Sequence, residues 1–176
     1  MKPEQAANLD ILNSLQGLFT DGEPPTVKEK FLSFRLTEAE TALLPLKQIA
    51  GVTKISLNEI LPVPDLPSSI LGICNWRGEM LPLLDLAAEL GFQSAINQGK
   101  IWETTLFIVL EVEKRILGLV VADVNDLELH DPETIQAPPA GLFPKEILPL
   151  LQGYLPESRT MVLNAAKIIE QVSQLS

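Results

Sequence analysis

Three residue types in the sequence could do chemistry, and none has the neighbours that catalysis needs. His130 is the single histidine, so a histidine-rich metal site is excluded, and no Ser-His or Cys-His dyad has support in the sequence. Cys74 is the single cysteine, which excludes an internal disulfide, and its apolar surroundings predict a core residue. Asp123 and Asp126 could form an acid–base pair, although acidic residues at a strand end are usually solvated. We therefore expect no catalytic residue, no metal and no cofactor.

A short turn, Asn75-Trp76-Arg77-Gly78, carries the side chains best suited to binding a partner. Tryptophan and arginine are enriched among the residues that dominate interface energies. The Arg77 guanidinium is a forked donor that fits a carboxylate or carbonyl, and it could equally form a salt bridge within the domain. Gly78 is expected to adopt backbone angles that other residues resist. Trp76 has two interpretations: it anchors a partner, or it folds back onto the core. The four residues are the candidate partner-binding site.

The elements that must position this turn are short strands punctuated by proline and glycine. Asp85 suits the N-cap of a short helix that Gly91 closes in a left-handed conformation, and Asn164 suits the cap of a C-terminal helix. Pro45 predicts an edge strand or a bulge. The pattern favours an all-β, barrel-like fold with short helices. The predicted strands run over residues 32–36, 70–74, 80–84, 106–112, 116–121, 124–129 and 161–163.

A short internal repeat links the two halves of the chain. Leu84-Asp85-Leu86-Ala87-Ala88 is similar to Leu163-Asn164-Ala165-Ala166-Lys167, and each stretch follows a proline-rich connector. Each reads as a strand end, a capping residue and the start of a helix. The repeat suggests two similar β-subdomains.

The composition narrows the class of partner. The chain has 176 residues, of which 46% are apolar, and a net charge of −10. Such a chain can bury a sizeable core, and its acidic surface repels nucleic-acid phosphates and anionic membranes. No apolar run reaches the roughly 18 residues that span a bilayer, and no signal peptide is apparent. We expect a cytoplasmic protein without membrane insertion.

Residues 1–27 differ from the rest and are expected to be an N-terminal extension to a domain over 28–174. Asn8 could cap an amphipathic helix that carries Leu9, Leu12, Leu15, Leu18 and Phe19, and a linker over 20–25 follows. Three interpretations stay open: a frayed tail, a helix packed on the domain, or a docking helix for a partner.

The stretch from Ile70 to Leu86 resembles the signature hairpin of the CheW family of chemotaxis coupling proteins. That signature is an apolar run with glycine, then Asn-Leu-Arg-Gly, then a proline-containing strand that ends in Asp-Leu. The similarity extends to Phe31–Leu36, Leu43–Ile49 and Leu117–Val124 and covers about residues 28–174. The chain departs from the family at Trp76, where the family has leucine, and at Gly51, where glutamate is common.

The resemblance implies two intertwined, SH3-like five-stranded barrels that form one CheW-like domain. It also implies a non-catalytic adaptor that couples a methyl-accepting chemoreceptor to a CheA-type histidine kinase, in arrays at the inner face of the membrane. In the family, the arginine at the position of Arg77 is associated with receptor binding. The N-terminal extension is similar to those of members that serve pilus motility or phototaxis. The alternatives are a small-barrel nucleic-acid-binding protein, which the net charge disfavours, and an enzyme with an unrecognised site.

Overall fold

Two five-stranded sheets dominate the computed structural model, which describes residues 27–96, 98–99 and 103–174. The strand order is β8-β1-β2-β10-β9 in the first sheet and β3-β6-β7-β5-β4 in the second. Two short α-helices follow the last strands of the two halves of the chain. The all-β fold with short helices and two five-stranded units is thereby confirmed. The strands are β1 Glu29–Arg35, β2 Thr41–Pro45, β3 Ile49–Ser56, β4 Ile70–Trp76, β5 Glu79–Asp85, β6 Thr104–Val112, β7 Arg115–Val121, β8 Asp123–His130, β9 Leu151–Leu155 and β10 Thr160–Leu163; the helices are α1 Leu86–Glu89 and α2 Ala165–Gln174.

The two halves of the chain exchange strands. The first half gives β1 and β2 to the first sheet, where they pair with β8 and β10, and it gives β3, β4 and β5 to the second sheet. The second half repeats the arrangement. In each half an antiparallel hairpin, β1–β2 or β6–β7, pairs in parallel with the strand that precedes a helix. Each sheet therefore requires strands from both halves.

Equivalent bridges join the edges of both sheets. In the second sheet, Leu61 pairs with Ile73 of β4; in the first, Gln136 pairs with Tyr154 of β9. A glycine adjoins each bridge, because a Cβ on Gly72 would overlap the Leu61 carbonyl oxygen, and one on Gly153 would lie 2.6 Å from the Gln136 carbonyl oxygen. This repeat is much longer than the five-residue similarity found in the sequence.

Helix caps repeat as well. The Asp85 carboxylate accepts a hydrogen bond from the Ala88 N–H at 3.3 Å, and the Asn164 amide oxygen accepts one from the Lys167 N–H at 3.1 Å. Gly91, with φ of +83°, ends the first helical segment as predicted.

The core has three parts. The largest cluster joins both sheets and both helices, through side chains such as Leu44, Leu84, Ile108 and Ile168. A second cluster lies within the second sheet, around Leu81, and a third lies within the first sheet. Each sheet therefore encloses a cluster of its own, and the largest cluster lies between the two sheets.

The position of Pro45 differs from the expectation. Pro45 does not mark an edge strand, because β2 pairs with both β1 and β10; Pro45 is instead the last residue of β2, beyond the register with β10. The predicted N-terminal helix lies outside the described residues. Within the described ranges, no helix has the length and apolar character needed to cross a membrane.

Candidate functional site

The candidate site is the tip of the β4–β5 hairpin. Trp76 pairs with Glu79, which leaves Arg77 and Gly78 as the two loop residues, with φ of +50° and +83°. Two successive positive φ angles are characteristic of a type I′ turn, whose twist matches that of the flanking strands. The Asn75 side-chain oxygen accepts a hydrogen bond from the Gly78 N–H at 3.1 Å. The structure thus shortens the expected four-residue turn and places Asn75 and Trp76 at the end of β4.

Arg77 occupies a backbone region that L-residues avoid, at a cost of about 1–2 kcal/mol. Asparagine is the usual residue at this position of the turn. Glycine at Gly78 is readily explained, since its φ is positive and nothing lies within 4 Å of an added Cβ. An arginine in this strained position suggests a role for its side chain.

Trp76 packs back onto the domain. Its side chain contacts the core cluster of the second sheet, and its Cζ2 lies 3.6 Å from where a Cβ of Gly51 would stand. The Arg77 guanidinium carbon lies 4.5 Å from the Trp76 ring centroid. The indole therefore lies close to β3 and supports the arginine, in agreement with the interpretation that Trp76 folds back onto the core.

A shallow groove of about 330 Å³ adjoins the tip. Besides Trp76 and Arg77, it is lined by Thr53 and Lys54 of β3, and by Glu59. Sequence reasoning missed these residues. The alternation of β3, in which Lys54 is exposed and Ile55 is buried, could have revealed which side chains face the hairpin.

Cys74 lies at the base of this groove and is 2% exposed. Burial, and secondarily the charge of Glu59, raises the pKa of the Cys74 thiol. A protonated, buried thiol is a poor nucleophile. The predicted core role of Cys74 is confirmed.

The other candidate residues, His130, Asp123 and Asp126, each contact a different neighbour. The His130 Nε2 atom is 2.7 Å from a Glu128 carboxylate oxygen, and its ring meets Phe31 edge-on. Asp123 is 3.7 Å from Arg35, and the Asp126 carboxylate accepts the N–H of the next residue. Across residues 27–96, 98–99 and 103–174, no group of three or more His, Cys, Asp or Glu side chains is arranged to hold a metal ion.

The comparisons with known proteins agree with the fold. The family of CheW-like domains matches residues 30–173. A probable chemotaxis protein CheW of Rhizobium etli is 30% identical over 112 residues, which are 62% of this chain and 66% of that protein. The chain thus spans just under two thirds of this relative, and the same holds for chemotaxis protein CheW of Rhizobium meliloti.

Two further relatives are covered more fully. Protein FrzA of Myxococcus xanthus is 27% identical over 149 residues, 84% of this chain and 89% of that protein. The crystal structure of the scaffolding protein TtCheW from Thermoanaerobacter tengcongensis superposes with a TM-score of 0.62 at 24% identity, covering 78% of this chain and 88% of that one. This likeness supports the fold. Because the family match includes both sheets and extends into α2, the chain belongs to the family of CheW-like domains.

Proposed function

We propose that this chain is a non-catalytic signalling adaptor that couples a methyl-accepting chemoreceptor to a CheA-type histidine kinase. The two Rhizobium relatives are named as chemotaxis proteins, and the superposed structure is titled a scaffolding protein. An adaptor works by holding two partners in a fixed geometry, so that the state of one biases the other. The chain would act at the inner face of the membrane through the receptor it binds.

The observation that carries the proposal is the exposed Arg77 guanidinium supported on Trp76. Among the described residues, no carboxylate lies within ion-pair distance of Arg77. Within the described part of the chain nothing acidic competes for its donors, which suit carboxylates or helix-end carbonyls of a receptor tip. A two-residue turn holds the arginine with little freedom to lose on binding.

Charge reversal at Arg77 tests the receptor contact. A central interface arginine contributes about 2 kcal/mol, so Arg77→Glu should weaken binding to the receptor cytoplasmic fragment about thirtyfold. The measurement is titration calorimetry with purified fragment, accompanied by circular dichroism of each variant.

Arg159→Glu is the matched control. Arg159 lies in the equivalent β9–β10 turn, is exposed, and also has a positive φ of 54°. It should bind the fragment as the parent chain does. Unchanged affinity of a folded Arg77→Glu variant, or an equal loss in both variants, would contradict the proposed receptor contact.

The adaptor role also predicts the behaviour of the kinase. Labelled ATP incubated with the kinase and this chain should leave the chain unlabelled, while receptor control of the kinase should require the chain. Stoichiometric transfer of phosphate to the chain, with His130 as the single histidine, would contradict a non-catalytic role.

A further inference from the structure

An apolar groove of about 320 Å³ lies between α2 and the second sheet. The connector after β3 contributes Val63 and Leu66, the β4–β5 hairpin contributes Ile73 and Pro82, and α2 contributes Val172. Ile73 and Pro82 are opposite one another and point away from the interior of the sheet, since their neighbours in β4 and β5 are buried. The groove shares no lining residue with the groove at the hairpin tip.

The groove is almost entirely apolar. Ser173 is the one polar residue among those that line it, and its hydroxyl already donates to the Ile169 carbonyl within α2. Beside the groove, Leu61 is 57% exposed and Val63 is 38% exposed. Contiguous apolar surface of this kind marks a binding surface. Because its walls offer few hydrogen-bonding groups, an apolar occupant is required.

The chain itself contains such an occupant before the first strand. Apolar residues in the segment 8–19 recur at the spacings i, i+1, i+4, i+7 and i+8, while Asn13 and Gln16 are polar. These are the spacings with which amphipathic segments anchor in apolar grooves. The apolar positions are Ile11, Leu12, Leu15, Leu18 and Phe19.

The tether is long enough. Near the start of β1, the Glu29 carboxylate binds the Lys47 ammonium at 2.7 Å, and Lys47 is followed closely by Ile49. Ile49 pairs with Leu110, and Leu110 pairs with Leu117, which lines the groove. With strands about 5 Å apart, this path totals on the order of 30 Å, and a straight line is shorter. The nine residues 20–28 span up to about 30 Å.

We propose that the apolar groove between α2 and the β4–β5 hairpin is the docking site of this chain's own segment 8–19. The groove and the segment are joined covalently, so their effective concentration is high without any partner. A second copy of the chain, or a separate protein, is the competing occupant.

Hydrogen exchange of the full-length chain tests the docking. The double variant Leu15→Asp/Leu18→Asp places charge on the apolar positions of the segment. Amides of residues 61–73 and 165–174 should then exchange about tenfold faster than in the parent chain. The control Asn13→Asp/Gln16→Glu adds the same charge at polar positions and should exchange as the parent does.

Two results would overturn the proposal. One is equal exchange around the groove in the parent chain and the Leu15→Asp/Leu18→Asp variant. The other is protection that grows with protein concentration, because it would identify a second copy as the occupant. Spin labels on Gln16→Cys and Gln174→Cys give an independent readout. Docking predicts a narrow distance distribution that the double aspartate variant broadens, whereas a broad distribution in the parent would refute docking.

Discussion

The Arg77 guanidinium carbon lies 4.5 Å from the centroid of the Trp76 ring, and the same indole approaches Gly51 on β3, the opposite edge strand of the second sheet. A cation over an aromatic face is stabilised by roughly 0.5–1 kcal/mol at an exposed site. The tryptophan thus orients the arginine that we propose as the receptor contact. Where the family has leucine, this chain has a larger platform.

Trp76→Leu tests whether the indole orients Arg77, because the substitution leaves the charge of Arg77 in place. The leucine retains apolar packing and removes the aromatic face, so the free energy of unfolding should fall by only about 1–2 kcal/mol. Receptor affinity should fall less than in Arg77→Glu. Urea unfolding and calorimetry measure the two quantities, and an affinity loss as large as that of Arg77→Glu would mean that Trp76 itself is the main contact.

Gly51 should be coupled to Trp76. A Cβ at Gly51 would make ordinary contact at 3.6 Å, so Gly51→Ala should be tolerated, whereas Gly51→Leu should displace the indole and cost about 1–3 kcal/mol. In a Trp76→Leu background the cost of Gly51→Leu should shrink. A double-mutant cycle by urea unfolding checks this, and additive effects would contradict the contact.

The two bridge glycines should be far more sensitive than an open one. Gly72→Ala places a methyl group on the Leu61 carbonyl oxygen, and Gly153→Ala crowds Gln136, so each should lower the free energy of unfolding by more than about 3 kcal/mol. Gly91→Ala is the control, because its φ is positive but nothing lies within 4 Å of the added Cβ. It should cost about 1–2 kcal/mol. Losses in Gly72→Ala and Gly153→Ala no greater than the loss in Gly91→Ala would contradict the predicted overlap with the Leu61 and Gln136 carbonyl groups.

Asp85 should make stability fall as pH rises. Burial of this 2% exposed carboxyl raises its pKa, against smaller opposing effects of Ser94 and of the Ala88 N–H. A raised folded-state pKa means that the folded chain binds the proton more tightly than the unfolded chain does. The contribution of Asp85 to the free energy of unfolding is complete below its unfolded-state pKa of about 4. It is lost as pH rises through the folded-state pKa.

Asp85→Asn removes that titration and retains a capping oxygen, as Asn164 provides in the other half. The variant should therefore gain stability relative to the parent as pH rises from about 4 to 7. Urea unfolding across that range measures the difference, and a difference independent of pH would contradict the raised pKa.

Local features of the fold could be predicted from the sequence because local chemistry decides them. The caps at Asp85 and Asn164 and the left-handed Gly91 follow from residue types at helix ends. The strand exchange depends on pairing β2 with β10, more than 100 residues apart. The alternation of apolar and polar residues within a strand does not identify so distant a partner strand. Only the resemblance to a family implied it.

The candidate site, like the fold, could be predicted from the sequence only in part. The hairpin could be predicted from its flanking apolar runs and from Gly78. The contact between Trp76 and Gly51 could not, because a glycine leaves no side-chain pattern to interpret. Pro45 was misassigned since proline tolerates the end of a central strand when only one side is paired there.

The exchange of strands also dictates an order of assembly during synthesis. The second sheet contains only β3 to β7, so its strands are all present once Val121 has left the ribosome. The first sheet starts at Glu29, but its other three strands follow the second sheet and the last of them ends at Leu163. β1 and β2 can pair with each other early, but their outer partners, β8 and β10, emerge only after the strands of the second sheet are complete. The completed second sheet therefore becomes the template against which the first is closed.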